Sequence, residues 1–252
     1  MRISAIIPAR FASTRFPGKP LVKIAGKSMI ERVCERVCSS KTIDRVIVAT
    51  DDQRIFQAVT AFGGEAWMTR EDHASGTDRL AEVADKLQTD LVVNVQGDEP
   101  LISPAMIDSA VAPLRDDPTI PMGTLKSAIA DWQEFRDPNV VKVVTDHAGN
   151  ALYFSRSPIP FPREEWQAAS SPMSALGVYK HIGLYVYRRD FLLKFAAMPQ
   201  SPLEALEKLE QLRALENGFK IRVVETDQPC IGVDTPEDVT KVEMLLTNND
   251  AR

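Results

Sequence analysis

Short apolar runs alternate with segments of helical periodicity along nearly the whole chain. The runs at 3–8, 45–49 and 91–96 have the length of buried strands, and the last is rich in Val. Apolar residues recur at helical spacing through the segments 28–39 and 55–62. Strands that alternate with helices of this length are typical of βαβ units. The sequence therefore predicts an α/β fold whose sheet is mainly parallel, partly mixed, and covered by helices on both faces.

Later segments predict a hairpin, a further strand and a loop. Residues 140–144 and 151–154 flank a turn signal at 147–150, so they are expected to form a hairpin. Residues 181–187 alternate as a half-buried strand does. The stretch 157–175 holds four prolines and several serines, and it is predicted to be a mobile or variable loop.

The last part of the chain predicts two helices. Residues 201–215 are strong helix formers, and Asn217-Gly218 is a typical stop, so one continuous helix is expected there. Thr235 is expected to cap a second helix that begins at Pro236.

Length and charge restrict the kind of protein. A chain of 252 residues fits one large α/β domain, so a single domain over 1–252 is expected. Its 30 basic and 35 acidic residues give a formal charge of −5, which provides no general attraction to nucleic acid or to an anionic membrane. No apolar stretch reaches the roughly 18 residues of a spanning helix, and the apolar run before Pro8 is too short for a secretion signal. With three cysteines and no disulfide framework, a soluble cytoplasmic protein is predicted.

The loop after the first predicted strand carries three cations: Arg10, Arg15 and Lys19. Ligands of open parallel sheets bind beyond the carboxyl ends of the strands, where this loop is expected to lie. The guanidinium of arginine can bind phosphate through two N–H groups at once, and the ammonium of lysine binds it as a compact charge, so these residues suit a polyphosphate. The alternative interpretation is a solvated basic loop.

Two familiar phosphate motifs are excluded. Gly26-Lys27-Ser28 resembles the end of a Walker A loop, but the position of its upstream glycine is Leu21. No G-x-G-x-x-G follows the first strand, so a dinucleotide-binding site has no support.

Two acidic residues follow other apolar runs. Asp98 lies in a Gly-Asp-Glu-Pro turn after the Val-rich run, and Asp234 follows residues 231–233. Mg²⁺ prefers one or two carboxylates together with substrate phosphates, so this pair is a candidate metal site if the two segments are neighbours. The alternatives are an ordinary acidic turn at Asp98 and a helix-capping role at Asp234.

Several reactive side chains are interpreted as structural. Cys34 and Cys38 lie one helical turn apart and lack the further ligands of a zinc site. His73 and His147 lie in polar segments and are expected to be solvated. The three tryptophans form no stacking stripe with basic residues, which argues against a binder of single-stranded nucleic acid.

Taken together, the motifs resemble the 3-deoxy-manno-octulosonate cytidylyltransferase family, also called CMP-Kdo synthetases. Eight segments carry the resemblance in order: residues 6–10, 13–21, 75–79, 95–100, 151–156, 181–183, 209–213 and 233–238. Any one of them is weak, but the ordered set is highly specific. The stretch 161–177 fits the family pattern poorly, and nothing is carried over to it.

The resemblance implies a Rossmann-like nucleotidyltransferase fold and a defined reaction. CMP would pass from CTP to the anomeric hydroxyl of 3-deoxy-manno-octulosonate (Kdo), with release of pyrophosphate, for lipopolysaccharide biosynthesis and with Mg²⁺ required. The implied catalytic set is Arg10, Arg15 and Lys19 on the triphosphate, with Asp98 and Asp234 as metal ligands. A homodimer is implied as well.

Two groups of residues are implied to bind the substrates. The nucleotide group comprises Ala9, Arg10, Arg15, Lys19, Ser75, Gly76, Arg79 and Gln96. The sugar group comprises Gln96, Arg156, His181, Tyr185, Glu210 and Gln211. An octulosonic acid needs a cation for its carboxylate and polar groups for its hydroxyls, which the second group supplies.

Other functions stay open as alternatives. The same reaction could use 8-amino-8-deoxy-Kdo or another acid sugar, although sialic acid enzymes usually lack the combination of residues 75–79 with residues 97–100. A glycosyltransferase would be favoured by an Asp-x-Asp strand end, which residues 98–100 do not form. A non-catalytic nucleotide-binding module would be favoured by loss of the two carboxylates, and both are present.

Overall fold

The apolar runs assemble into one mixed sheet. The computed structural model describes residues 1–12, 16–168, 173–229 and 231–250, and in those ranges nine strands form the main sheet and two more form a small ribbon. The strands are β1 (Ile3–Ala9), β2 (Lys23–Ile24), β3 (Lys27–Ser28), β4 (Arg45–Thr50), β5 (Ala66–Met68), β6 (Leu91–Asn94), β7 (Met122–Ala128), β8 (Lys142–Thr145), β9 (Ala151–Ser155), β10 (Tyr179–Arg188) and β11 (Ile221–Glu225).

Helices connect most of these strands. They are α1 (Met29–Cys38), α2 (Gln53–Ala61), α3 (Gly76–Asp85), α4 (Pro104–Asp116), α5 (Trp132–Arg136), α6 (Glu165–Ala168), α7 (Met173–Leu176), α8 (Arg189–Ala196), α9 (Pro202–Glu207), α10 (Leu212–Glu216) and α11 (Pro236–Asp250), with a short 3-10 helix at Lys19–Leu21. None of the helices in the described ranges is long and apolar enough to cross a membrane.

Most strands of the sheet run in one direction, and β10 is an antiparallel strand inserted between β7 and β6. The strand order is β11-β7-β10-β6-β1-β4-β5, with β8 and β9 attached beside β10. Strands β6, β1, β4 and β5 run parallel, whereas β10 runs antiparallel to β6 and β7. Parallel strands end at the same edge of a sheet, so the loops after β1 and β6 meet there.

Helices cover both faces of the sheet. Adjacent residues of a strand point to opposite faces, so neighbouring side chains pack against different helices. Val93 of β6 packs with α1 and α4, including Val33 and Ile107. Its neighbour Val92 packs on the other face, with Leu80 of α3 and Phe195 of α8. The predicted α/β fold with helices on both faces is confirmed.

Local signals account for most element boundaries. The predicted hairpin forms from β8 and β9, and Gly149 in its turn has a φ of 78°, which glycine adopts without steric cost. The strand predicted at 181–187 lies within β10, and α11 begins at Pro236 as expected. In the stretch 157–175 the described residues include α6 and α7, residues 169–172 lie outside the described ranges, and mobility there stays a prediction.

The single helix predicted over 201–215 is wrong. Lys208 has φ 55° and ψ 44°, and this left-handed residue separates α9 from α10. Glu204 and Arg213 form a buried ion pair at 2.6 Å across the break. In a continuous helix, nine residues at about 100° each would place these side chains on opposite faces. The break allows them to meet.

Candidate functional site

The loops after β1 and β6 form a cleft at the carboxyl edge of the sheet. The cleft is lined by Pro8, Ala9, Arg10, Ala12, Lys19, Pro20, Gly76, Gln96, Gly97 and Asp98. Three separate sequence motifs therefore meet in one place. Gly97 allows this approach, because a Cβ at that position would lie 3.0 Å from the backbone oxygen of Pro8.

Lys19 joins three distant segments at one end of the cleft. Its Nζ lies 2.7 Å from Asp98 Oδ2 and 3.3 Å from Asp234 Oδ1, and it donates to the backbone oxygen of Val233 at 2.9 Å. The backbone N–H of Val233 also donates to the backbone oxygen of Asp98 at 2.9 Å. The two predicted metal carboxylates thus face the same ammonium group. In the described ranges, no group of three His, Cys, Asp or Glu side chains is arranged to hold a metal.

Arg10 links the first loop to the segment before α3. Its Nη2 donates to the backbone oxygens of His73 and Ser75, at 2.9 and 3.0 Å. The ring of His73 is buried against Glu82, with Nε2 at 2.6 Å from Oε2. The expectation of a solvated His73 is therefore wrong, because a neighbouring helix supplies its partner, whereas His147 is exposed as expected. Arg15 lies outside the described residues.

The N-terminal end of α3 lies at the cleft. Ser75 is the N-cap: its Oγ accepts from the backbone N–H of Asp78, and Asp78 Oδ2 accepts from the backbone N–H of Ser75. Gly76, the first helical residue, lines the cleft. The first N–H groups of a helix have no partner within it and favour anionic or polar ligands.

Arg79 is placed differently from its neighbours in the motif. Its side chain is fully buried, Nη2 lies 2.5 Å from Asp51 Oδ2, and Nη1 donates to Thr69 Oγ1. The guanidinium therefore holds the segments after β4 and β5 against α3. A direct contact of Arg79 with nucleotide stays a prediction.

Three predicted sugar-side residues, His181, Tyr185 and Glu210, cluster beyond Gln96. Gln96 Nε2 lies 3.4 Å from the backbone oxygen of Gly183, and the rings of His181 and Tyr185 are 5.3 Å apart. Burial lowers the pKa of His181 to about 3, and burial with the nearby Glu210 carboxylate raises that of Tyr185. Both side chains are therefore neutral at physiological pH.

Glu210 connects this cluster to the nucleotide side. Its Oε2 accepts a hydrogen bond from Thr77 Oγ1 in the first turn of α3. Burial raises the pKa of the Glu210 carboxyl, and Thr77 and Arg213 oppose that shift. Gln211 is buried at the N-terminal end of α10.

Arg156 lies at the end of β9, with Nε 2.7 Å from the backbone oxygen of Glu207 and Nη1 3.0 Å from that of Pro138. The partners of both nitrogens are neutral carbonyls, so the guanidinium charge is still available to an anion. Its backbone N–H donates to Glu207 Oε2 at 2.9 Å.

Sequence reasoning missed three residues of this region. Thr77 lies inside a motif that was singled out, so its position was a usable signal. Asn94 is a polar residue inside a Val-rich run; it is 4% exposed, and its Oδ1 has no hydrogen-bond partner in the described ranges. Thr124 lies in β7 and touches His181, but nothing in the local pattern distinguishes it.

The described cysteines are structural. Cys34 and Cys38 are free thiols on α1, and burial raises the pKa of Cys34 to about 12, so this thiol stays protonated.

Comparison with known proteins gives a consistent result. A family model described as "Cytidylyltransferase" matches residues 4–221. The chain is 67% identical to a 3-deoxy-manno-octulosonate cytidylyltransferase from Syntrophotalea carbinolica, covering 98% of this chain and 99% of that one. It is 62% identical to the protein of the same name from Geobacter sulfurreducens, covering 96% and 98%.

Solved structures agree in fold. A structure described as CMP:2-keto-3-deoxy-manno-octonic acid synthetase complexed with CTP superposes with a TM-score of 0.91 at 46% identity, covering 99% of this chain and all of that one. A 4-diphosphocytidyl-2C-methyl-D-erythritol synthase from Anaerococcus prevotii superposes with a TM-score of 0.64 at 16% identity, covering 98% of each chain, and shares the fold alone.

Proposed function

Because the chain belongs to the 3-deoxy-manno-octulosonate cytidylyltransferase family, we propose that it transfers CMP from CTP to the anomeric hydroxyl of Kdo and releases pyrophosphate. One observation carries the proposal on the structural side. Lys19, Asp98 and Asp234 converge at the carboxyl edge of the sheet, beside Arg10 and the start of α3. This arrangement supplies cations for a triphosphate and carboxylates for a metal at one end of a single cleft.

The reaction is an in-line displacement at the α-phosphorus of CTP. The sugar hydroxyl forms the new P–O bond, and the bond to the β-phosphate oxygen breaks, so negative charge moves onto pyrophosphate. The protein's task is positioning and charge stabilisation. We assign the triphosphate to Arg10, Arg15 and Lys19. Lys19 is held in place by three oxygen partners, which lowers the cost of ordering it when substrate binds.

The nucleotide base and ribose are assigned to the segment from Ser75 to Arg79, together with Ala9 and Gln96. The capping of α3 by Ser75 orders the first N–H groups of that helix at the cleft. Main-chain groups can read the edge of a pyrimidine without a dedicated side chain. The ion pair between Arg79 and Asp51 holds this segment against the loop after β4.

The acceptor sugar is assigned to Gln96, Arg156, His181, Tyr185, Glu210 and Gln211. The cluster of His181, Tyr185 and Glu210 offers neutral and anionic acceptors for hydroxyl groups. Arg156 is the cation available for the sugar carboxylate. Polar groups this deeply buried discriminate among hydroxyl patterns, because a mismatched sugar leaves them without partners.

Mg²⁺ fits the residues of this site. Asp98 Oδ2 and Asp234 Oδ1 both lie within hydrogen-bonding reach of Lys19 Nζ, so they face a common point. Mg²⁺ favours one or two carboxylates with the remaining ligands from phosphates and water, which this pair can provide when CTP is bound. When bound, the ion supplies neutralisation of phosphate charge and activation of the attacking hydroxyl. We propose Asp98 and Asp234 as its ligands.

Four further properties belong to the same proposal. A single domain over 1–252 is supported by a sheet that takes strands from Ile3 to Glu225. We also propose a homodimer, a place in lipopolysaccharide biosynthesis and a cytoplasmic location, which membership of the family supports.

The direct test is pyrophosphate release by the purified protein. It would be incubated with Mg²⁺, each of the four nucleoside triphosphates, and a panel of acid sugars that includes Kdo, 8-amino-8-deoxy-Kdo and N-acetylneuraminic acid. We expect release with CTP and Kdo and rejection of N-acetylneuraminic acid. Release without any sugar, or with aldose 1-phosphates instead of acid sugars, would contradict the proposal. A strong preference for the amino sugar would keep the reaction and change its acceptor.

A further inference from the structure

A buried threonine contacts the histidine on the sugar side of the cleft. Thr124 of β7 is fully buried, and its Oγ1 lies 2.9 Å from His181 Nε2. The same oxygen lies 2.8 Å from the backbone oxygen of Leu184 and 3.1 Å from that of Ile182. The register between β7 and β10 shifts between Ile182 and Tyr185, so the hydroxyl lies at an irregularity of the strand pair.

These distances decide where the hydroxyl proton lies. A backbone carbonyl only accepts hydrogen bonds, and a threonine hydroxyl has one proton to donate. If that proton were directed to His181, both carbonyl oxygens would face a lone pair of Oγ1 at close range. The proton is therefore shared by the two carbonyls, and Oγ1 accepts from His181. Nε2 of His181 must then carry a proton.

The other ring nitrogen of His181 is left as an acceptor. Burial keeps the ring neutral, since it lowers the pKa to about 3. A neutral imidazole protonated at Nε2 has an unprotonated Nδ1. In the described ranges Nδ1 has no hydrogen-bond partner, and the ring packs at centroid distances of 5.0 Å from Phe154 and 5.3 Å from Tyr185. These contacts fix the orientation of the imidazole ring of His181.

We propose that Thr124 is a positioning residue that locks His181 in the Nε2–H tautomer, so that Nδ1 accepts a hydrogen bond from a hydroxyl of the acceptor sugar. The inference rests on the proposed function for the identity of that hydroxyl. The tautomer itself follows from the contacts of Thr124 alone. Because Nδ1 can only accept a hydrogen bond, Thr124 and His181 together favour a sugar with a hydroxyl at the contacting position. A sugar with only a hydrogen-bond acceptor at that position is disfavoured.

The tautomer can be observed by NMR of the whole protein labelled with ¹⁵N-histidine. The chain has three histidines, and a His181→Gln variant assigns the signals of this one. We expect wild type and Thr124→Ser to show a protonated Nε2 and an unprotonated Nδ1. Thr124→Val keeps the shape but removes the acceptor, so His181 should lose its single tautomer. A wild-type ring protonated at Nδ1, or an imidazolium at neutral pH, would overturn the proposal.

Steady-state kinetics supply the second readout. Thr124→Val should raise the KM for Kdo by about 10-fold, the effect of losing one oriented hydrogen bond, with the KM for CTP unchanged. Thr124→Ser should behave as wild type, and it tests the proposal even if the valine variant does not fold. Equal KM values for Kdo in wild type and a folded Thr124→Val would refute the role of Thr124. An Nε2–H tautomer in a protein that consumes no acid sugar would refute the proposed function and the sugar contact, leaving the tautomer assignment intact.

Discussion

Lys19 Nζ lies 2.7 Å from Asp98 Oδ2, although the two residues are 79 positions apart in the chain. Lys19 belongs to the short helix in the loop after β1, and Asp98 belongs to the loop after β6. The two strands are parallel neighbours, with Ile3 opposite Leu91, so their loops leave the sheet side by side. Asp234 reaches the same ammonium group at 3.3 Å. This contact joins the predicted phosphate and metal sites.

Replacing Lys19 with Ala should weaken the use of CTP far more than that of Kdo. The change removes a charge-assisted contact to phosphate, worth about 1.5–3 kcal/mol, so the KM for CTP should rise by roughly 10- to 100-fold. Lys23→Ala is a matched control, because Lys23 is an exposed lysine on β2 near the same loop. Unchanged kinetics for CTP in the Lys19 variant would show that the loop after β1 is a solvated basic loop without a role in binding phosphate.

Replacing Asp98 with Asn should nearly abolish turnover while the protein stays folded. The side chain is about one-third exposed and contributes little packing, so the thermal midpoint should change little. Asp234→Asn should also be severe. Asp227→Asn, at an exposed acidic residue outside the cleft, serves as the control. The measurement is rate against Mg²⁺ concentration; an unchanged Mg²⁺ dependence in Asp98→Asn would end its assignment as a ligand.

The pair of His73 and Glu82 should make the stability of the protein depend on pH in the acid range. Burial raises the pKa of Glu82, but hydrogen bonds from His73, the backbone of Arg70 and Lys86 outweigh it and lower the pKa from 4.5 to about 2. A depressed carboxyl pKa stabilises the fold above the unfolded value, and the contribution is lost as pH falls from about 4.5 to about 2.

Glu82→Gln should therefore lower the free energy of unfolding at pH 7 by about 1–3 kcal/mol, and the difference from wild type should vanish near pH 2. Urea midpoints measured across this range provide the check. Glu71→Gln, at an exposed glutamate in the preceding loop, should match wild type throughout. A constant difference between wild type and Glu82→Gln at every pH would contradict the role of the carboxylate charge.

Replacing Lys208 with Gly should stabilise the protein by about 0.5–1 kcal/mol, because glycine adopts a left-handed conformation without the steric penalty that lysine pays. Lys208 is exposed, and its φ is 55°. Lys194→Gly, within α8, should instead destabilise by about 1 kcal/mol. Chemical denaturation measures both. A destabilised Lys208→Gly would mean that the break between α9 and α10 is held by the lysine side chain rather than by the contacts around it.

Some features of this protein follow from local sequence. The alternation of apolar runs with helical segments predicted the α/β fold, because burial on both faces of a strand requires a continuous apolar run. The turn at Gly149 and the start of α11 at Pro236 follow from the φ values that these residue types allow. The cluster of Arg10, Lys19 and Asp98 was also predictable, since parallel strands deliver their loops to one edge.

Other features were decided only in the tertiary structure. Lys208 breaks a segment of strong helix formers, and Glu204 pairs with Arg213 across the break. Both partners lie near Lys208 in the sequence, but helix propensity does not predict that they pair. His73 is buried because Glu82 on α3 lies beside it. The Arg79 side chain is buried because its guanidinium forms an ion pair with Asp51 of another segment. Thr124 acquires its role from an irregularity in β10, more than fifty residues away. Local propensities are worth tenths of a kcal/mol per residue, whereas a buried charge left without its partner costs about 3–5 kcal/mol. A pairing between segments therefore decides the local backbone wherever folding has already buried one of the two charges.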